Sequence, residues 1–303
     1  MTATDPGRDQ SAADAAFAIE IAERAGRVLL ERYERVEQID HKSARDVVTE
    51  VDHLSERLIL DAIRARFPGD GILAEESGAH HGSGSKRAAA KRVAAKHPTL
   101  DTGADRDDAV ARSLEHGRTW IVDPLDGTIN YANGIPVFCV SVGLIVDGRP
   151  AAGAVHDPMR AETFSATADG PALLNGRPTT VSDKPLLTDF VVSLALGGRA
   201  VATRVRAVRR AIRVSRNMGS AALALAYVAN GRFDAFVQSG GMSAWDVAAA
   251  GLIAERSGAV VTDTSGGPWF DVAKATRAFG VVAAPASHHA ELLRLAGEPD
   301  SRS

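Results

Sequence analysis

Two stretches near the start of the chain carry apolar residues at helical spacing. In SAADAAFAIEIAERAGRVLLERY, Phe17, Ile21, Ala25, Val28 and Leu29 fall on one face, and in EVDHLSERLILDAIRARF the stripe runs through Leu54, Leu58, Ile59, Ala62, Ile63 and Phe67. The Gly- and Pro-containing PGDG closes the second of these helices. From 118 to 175 the pattern becomes short apolar runs broken by Asp147-Gly148 and Asp169-Gly170, each a hairpin-type turn signal, which predicts an antiparallel sheet. Beyond 189, runs such as DFVVSLAL, FDAFVQ, AVVTD and FGVVAA alternate with the helical patterns of RAVATRVRAVRRAI, GSAALALAYVANG, WDVAAAGLIAERSG and HAELLRLAG. That alternation predicts a mainly parallel sheet covered by helices.

The change of pattern divides the chain into two α/β subdomains, 11–186 and 187–303, meeting just after DKP, with the polar residues 1–10 as a disordered tail. Residues 79–117 fit neither half. They open with AHHGSGS, pass through the basic, Ala-rich KRAAAKRVAAKHP and end in the acidic TLDTGADRDD, so low apolar content and opposed charge blocks predict a mobile surface insertion.

Composition narrows the function classes. Hydrophobic residues make up 45% of the 303 positions and charged residues 24%, as in an ordinary globular protein. The net charge of -3 gives no global attraction to nucleic acid or to an acidic membrane surface. No apolar run approaches the ~20 residues that span a bilayer. The single cysteine, Cys139, sits in the apolar VFCVSVGLIV as a buried small hydrophobe and can form no disulfide within the chain, which fits a cytoplasmic location. The pairs His80-His81 and His288-His289 read as exposed loop residues, because no partner His or Cys lies at ligand spacing. The basic run 86–96 has no aromatic residue for base stacking and reads as a solvated face. No serine stands in a G-x-S-x-G context.

The acidic residues change the picture. Asp52 lies near a helix start in EVD, Glu75 and Glu76 follow an apolar run in GILAEESG, Asp123 and Asp126 flank a proline in WIVDPLDGT, and Asp246 opens a helix in SAWDVAAAG. Asp123-Pro124-Leu125-Asp126-Gly127 taken alone is equally a turn. Taken with the others, the carboxylates repel one another unless cations are bound among them. Oxygen donors without His or Cys select a hard ion such as Mg2+. The backbone N–H groups of Gly127 and Thr128 are placed to face an anion, most naturally phosphate. Carboxylates, a metal and a phosphate cradle together specify phosphoryl transfer to water.

The segments DVVTEVD (46–52), AEES (74–77), WIVDPLDGTINYANGIPVFCVSVGL (120–144) and WDVAAAGLIAERSG (245–258) resemble the inositol monophosphatase family of metal-dependent, lithium-sensitive phosphatases. The resemblance spans roughly 15–295, leaving out the insertion. It implies a layered α/β/α/β/α sandwich, with an antiparallel sheet in the N-terminal half and a mainly parallel one in the C-terminal half. It also implies two or three Mg2+ ions, inhibition by lithium and a homodimer. Position by position, it implies that Glu75, Asp123 and the Leu125 carbonyl hold one ion, and that Asp123 bridges to a second held by Asp126 and Asp246. Thr128, bonded toward Asp52, would help Glu75 orient and deprotonate the attacking water. Asp46 and Thr49 would organise the loop around Asp52, and Lys42 would close over the water. Gly127 and Thr128 would cradle phosphate, while Asp126, Gly219, Ser220, Ala221 and Ser239 would meet the substrate's polar body. Where some inositol-specific members carry a carboxylate seven residues before the metal aspartate, this chain has Ser239, and it has Ala74 where the family often has glycine.

The expected activity is therefore hydrolysis of a small polyol or sugar phosphate such as inositol 1-phosphate. Histidinol phosphate, fructose 1,6-bisphosphate and 3'-phosphoadenosine 5'-phosphate are the rival esters. A second class of function is a weakly catalytic scaffold that contacts RNA or protein through 79–117, although nucleic acid is an unexpected partner for this charge pattern and no membrane is implied.

Overall fold

A computed structural model describes residues 6–35, 39–43, 46–80, 117–271, 274 and 277–297. Helix α1 (Pro6–Arg32) leads into a hairpin of β1 (Ile39–Ser43) and β2 (Asp46–Thr49), then α2 (Glu50–Arg66). An eight-stranded sheet follows. It contains β3 (Gly71–Ala74), β4 (Gly78–His80), β5 (Arg118–Asp126), β6 (Cys139–Val146), β7 (Arg149–Asp157), β8 (Glu162–Thr167), β9 (Leu173–Leu174) and β10 (Arg177–Pro178), in the spatial order β10-β9-β8-β7-β6-β5-β3-β4. All its pairings are antiparallel except β3 with β5. The Asp147-Gly148 turn between β6 and β7 has φ of 47° and 78°, the doubly left-handed geometry of a type I′ hairpin.

The second sheet has five strands in the order β12-β11-β13-β15-β14: β11 (Val191–Ala195), β12 (Val214–Arg216), β13 (Ala235–Met242), β14 (Ala259–Thr262) and β15 (Phe279–Pro285). Its helices are α4 (Val201–Ala211), α5 (Ala221–Ala226), α6 (Ala244–Arg256) and α7 (Ala286–Ala296), while α3 (Thr128–Ala132) follows β5. The expectation of a mainly parallel sheet describes the pairs β11–β12 and β11–β13. The β13–α6–β14 unit is likewise a crossover between strands of one direction, but β15 inserts between them antiparallel to both. The described residues joining β14 to β15 contain no crossover helix, which a parallel pair requires.

Stacked, these elements give α/β/α/β/α layers: α1 and α2, the eight-stranded sheet, α5 and α6, the five-stranded sheet, then α4 and α7. The middle layer approaches the large sheet closely. A Cβ on Gly143 of β6 would lie 3.0 Å from the Ala248 Cβ, and one on Gly153 of β7 would lie 2.8 Å from that of Ala249, so glycine lets α6 settle on the strands.

Several local expectations change. Residues 6–10, read as tail, form the first turns of α1, with Pro6 at the helical position that needs no N–H. Residues 1–5 lie outside the described residues. On α2 the buried stripe runs through Val51, Asp52, Ser55, Glu56, Ile59, Leu60 and Ile63, while Leu54 and Leu58 are only half-buried. Polar residues take the inner face there because they bond to the site. Ala79 and His80, read as part of the insertion, belong to a strand paired with β3, whereas His81 to Glu115 and the rest of 81–116 lie outside the described residues. His289 is buried within reach of Thr262 and the Val282 carbonyl, and His288 meets the ring of Phe190 edge-on at 4.7 Å, so neither belongs to an exposed loop. Cys139 is buried and free, as expected. Among the described residues, no helix is long and apolar enough to cross a membrane.

Candidate active site

The site is built on a break in strand register. Asp123 on β5 faces Ser141 on β6, and Asp126 faces Cys139, so three steps along β5 match two along β6. In a regular strand residues three apart point to opposite faces. The one extra residue, at Pro124-Leu125, turns Asp126 back to the face of Asp123. Proline suits this position because a bulge asks for no ladder N–H there.

Other elements bring further carboxylates to the same place. The parallel pairing of β3 with β5 sets Ala74 beside Val122, and Glu75 extends that ladder by donating its N–H to the Val122 carbonyl at 3.1 Å. Asp246 enters at the first turn of α6, where its carboxylate accepts the Ser243 N–H at 2.6 Å and Ser243 caps the helix. Carboxylate oxygens of Asp123, Asp126 and Asp246 all lie within 4.8 Å of one another.

Asp126 is the most heavily bonded of the three. It accepts from the Ser220 hydroxyl at 2.6 Å, the Ala222 N–H at 2.7 Å and the Ala221 N–H at 3.2 Å, at the start of α5, with the Cys139 thiol 3.7 Å away. A carboxylate at a helix start is stabilised by exposed N–H donors. Ser220 and Ala221, expected to meet substrate, thus spend polar groups on Asp126 while also lining the cleft.

A second polar chain leads away from the cluster. The Thr128 hydroxyl lies 3.1 Å from Asp52 Oδ1 and 3.0 Å from the Leu125 carbonyl. Asp52 Oδ2 accepts from the Thr49 N–H and hydroxyl at 2.9 and 2.6 Å, completing a capping box at the start of α2. Ser55 donates to the Pro124 carbonyl at 2.8 Å, and Glu56 accepts the Glu76 N–H at 2.9 Å, so α2 holds both acid-bearing loops. Gly127, at φ 97°, is required between them: a Cβ there would lie 2.9 Å from the Val137 carbonyl. Asn130 then ties α3 to the Val137 and Met218 carbonyls at 2.7 Å each.

Burial pushes Asp123 well above the usual carboxylate range, and the charges of Glu75, Asp126 and Asp246 push it further. Asp246 is raised in the same way, with the Ser243 N–H and Arg277 opposing the rise. Asp126 is raised less, because burial is countered by Ser220 and the α5 backbone. Burial, together with Asp126 and Asp123, also keeps the Cys139 thiol protonated. Acids held this close favour a bound cation as the alternative to protons. The donors at the cluster are oxygens, which fits a hard cation and not a thiolate- or imidazole-seeking one.

These groups line a cleft of about 280 Å³ between the two sheets. Glu75, Asp123, Leu125, Asp126, Gly127, Thr128, Gly219, Ser220, Ala221 and Asp246 all border it, whereas Asp52 acts from behind Thr128. Ser239 is not on the lining. Its hydroxyl accepts the Gly197 N–H at 2.7 Å, and its strand neighbour Gln238 faces the cleft instead, as alternation along a strand dictates. Trp245 is half-buried against the core, and its carbonyl accepts from Ser141 at 3.1 Å. The side chains of Lys42 and Asp46 lie outside the described residues. Gln238, Arg277, Ser55 and Asn130 escaped sequence reasoning, because their roles depend on long-range packing.

Comparison with known proteins agrees with this architecture. Residues 11–298 match the model of the inositol monophosphatase family. A relative described as inositol monophosphatase from Mesembryanthemum crystallinum is 32% identical, the alignment covering 83% of this chain and 85% of the relative. A protein described as Nus factor SuhB from Pasteurella multocida is 35% identical over the same shares. The solved structure of the extragenic suppressor protein suhB from Bartonella henselae superposes with a TM-score of 0.76 at 29% identity, covering 92% of this chain and 96% of that one. With the family match spanning both sheets and the cleft between them, the chain belongs to the inositol monophosphatase family and is a phosphoric monoester hydrolase.

Proposed function

We propose that the protein is a Mg2+-dependent phosphomonoesterase that hydrolyses a small polyol or sugar phosphate, such as inositol 1-phosphate, by direct attack of water. The observation that carries this is the set of Asp123, Asp126 and Asp246 oxygens within 4.8 Å of one another. Asp123, Asp126, Asp246, Glu75 and the Leu125 carbonyl would hold the cation. When bound, Mg2+ supplies the charge that acidifies the attacking water and neutralises the ester. Thr128 has one hydroxyl proton and two acceptors. Giving that proton to Asp52 would leave its lone pairs to orient the water, and Glu75, which borders the same cleft, would take the proton released. The N–H groups of Gly127 and Thr128 are the candidates to receive phosphate. Inhibition by Li+, a homodimeric assembly and a cytoplasmic location accompany this function.

A phosphate-release panel over inositol 1-phosphate, histidinol phosphate, fructose 1,6-bisphosphate and 3'-phosphoadenosine 5'-phosphate tests the proposal. Turnover of at least one ester is expected in Mg2+, none under a chelator, and inhibition by Li+. Turnover that survives chelation overturns it. The relative described as a Nus factor favours a second role in a protein or RNA assembly, which co-purification with and without residues 81–116 would reveal.

A further inference from the structure

The cleft has two unlike walls. Carboxylates converge on the side of β5 and α6, while β11 and β13 of the five-stranded sheet bring Ser193, Gln238 and Met242, and the segment before β15 brings Arg277, whose charge also acts on Asp246. Arg277 is the one positively charged residue among those described on the lining. Its backbone is pinned by two hydrogen bonds: its N–H donates to the Ser243 hydroxyl at 3.1 Å, and its carbonyl accepts the Gly241 N–H at 2.9 Å. The residue has φ of 65°, a left-handed conformation that side-chain-bearing residues rarely adopt, so tertiary bonds and not local preference set its position. Ser243 also caps the helix that presents Asp246. A cationic side chain is therefore displayed, exposed, at a fixed point on the cleft wall.

A guanidinium is permanently charged, and its planar fork of donors matches phosphate or carboxylate. The ester group undergoing hydrolysis belongs at the acid cluster, and the body of a neutral polyol offers the opposite wall only hydroxyls. We propose that Arg277 selects esters carrying a second anionic group, phosphate or carboxylate, on the part of the substrate remote from the scissile ester. This rests on the phosphatase function proposed above.

The experiment compares wild type, Arg277→Gln and Arg277→Lys on fructose 1,6-bisphosphate, 6-phosphogluconate and fructose 6-phosphate in Mg2+. The quantity read is the ratio of kcat/KM for each doubly anionic ester to that for fructose 6-phosphate. Arg277→Gln is expected to lower this ratio about tenfold to a hundredfold, chiefly through KM, with Arg277→Lys falling between the two because it keeps the charge and loses the fork. A drop for the bisphosphate alone assigns the site to phosphate, and a drop for the sugar acid alone assigns it to carboxylate. A ratio unchanged in Arg277→Gln, including equal loss on every ester, overturns the proposal. Arg277→Ser, read in the same way, replaces a glutamine variant whose circular dichroism departs from wild type. Calorimetric binding of the same three esters in Ca2+ separates the two claims. An Arg277-dependent ratio of Kd values without turnover sinks the phosphatase function alone, and turnover without that ratio sinks this inference alone.

Discussion

Acids gather around both ends of strand β5, from neighbouring segments at its start and on the strand itself at its end, and the ends are treated in opposite ways. At its start, Arg118 reaches Asp14 at 2.9 Å and Asp70 at 3.1 Å, and Trp120 donates its indole N–H to Asp70 at 2.9 Å. Desolvation of Arg118 works against its charge there, and the hydrogen bonds and charges of the two aspartates outweigh it. At its end, Asp123 and Asp126 meet Asp246 and Glu75, and the dominant influences on Asp123 are burial and more negative charge. One end is an ion pair completed within the chain. The other, among the described residues, has no cation among its own side chains within the cluster and could hold one from outside, which is the difference between an acid cluster that supports a fold and one suited to a metal ion.

The largest way to break this comparison is Asp123→Asn. Turnover in Mg2+ should fall at least about a thousandfold, roughly 4 kcal/mol of barrier, while circular dichroism stays native. Without added cation the variant should melt no lower than wild type, since one of several repelling acids is gone. A ligand at a hundredfold its Kd stabilises by about 2.7 kcal/mol, so Mg2+ should raise the melting temperature of wild type and lose that effect in the variant. A variant that Mg2+ stabilises as strongly as wild type would place the cation elsewhere.

At the other end, Arg118→Met strands Asp14 and Asp70 without their cation. The expected loss is roughly 2–3 kcal/mol by denaturant unfolding, below the fully buried range because the Arg118 side chain keeps 27% of its surface exposed. The Mg2+ concentration that gives half-maximal turnover should not move. A shift in that concentration would mean the two ends are coupled through the strand.

The smallest effect sharpens the contrast with an acid answered by neighbouring donors. Burial would raise Asp263, but the Ser265 hydroxyl and N–H, the Gly267 N–H and Lys274 outweigh it and bring it to about 2. A depressed acid contributes stability above its unfolded pKa of about 3.9 and loses it as pH falls toward 2. Asp263→Asn should therefore cost up to about 2 kcal/mol near neutrality, and the gap to wild type should close between roughly pH 4 and 2. A gap that holds steady across that range would assign Asp263 a packing role only.

Much of the fold and the acid cluster could be read from local sequence. Glu75, Asp123, Asp126 and Asp246 each stand at the end of a strand or the start of a helix, where a short motif determines direction, and the structure gathers them. What stayed hidden depends on partners distant in sequence. On α2 the apolar periodicity through Leu54, Leu58, Ile59, Ala62, Ile63 and Phe67 finds the buried Ile59 and Ile63, yet Asp52, Ser55 and Glu56 share the inner face in place of Leu54 and Leu58, bonded to loops that no local pattern reveals. The insertion of β15 between β13 and β14 is a choice of partner, and strand composition does not encode it. Ser239 shows the finest limit: the resemblance points to the position seven residues before Asp246, but β13 is irregular against β15 between Gln238 and Met242, and here Gln238 borders the cleft while Ser239 accepts the Gly197 N–H.

Helix α6 touches both sheets at once, and its approach leaves little room for adjustment. It lies on Gly143 and Gly153 below, and Trp269 presses on its own Gly251, where a Cβ would come within 2.4 Å of the indole ring. A helix wedged this way does not slide or tilt without disturbing its packing on both sides, so opening the cleft by a hinge between the sheets would cost close contacts on both faces of the helix. Asp246 is held in place by that packing and by the Ser243 N–H, without a bound ligand. The entropy of assembling the cluster is then settled during folding, and cation binding need not supply it.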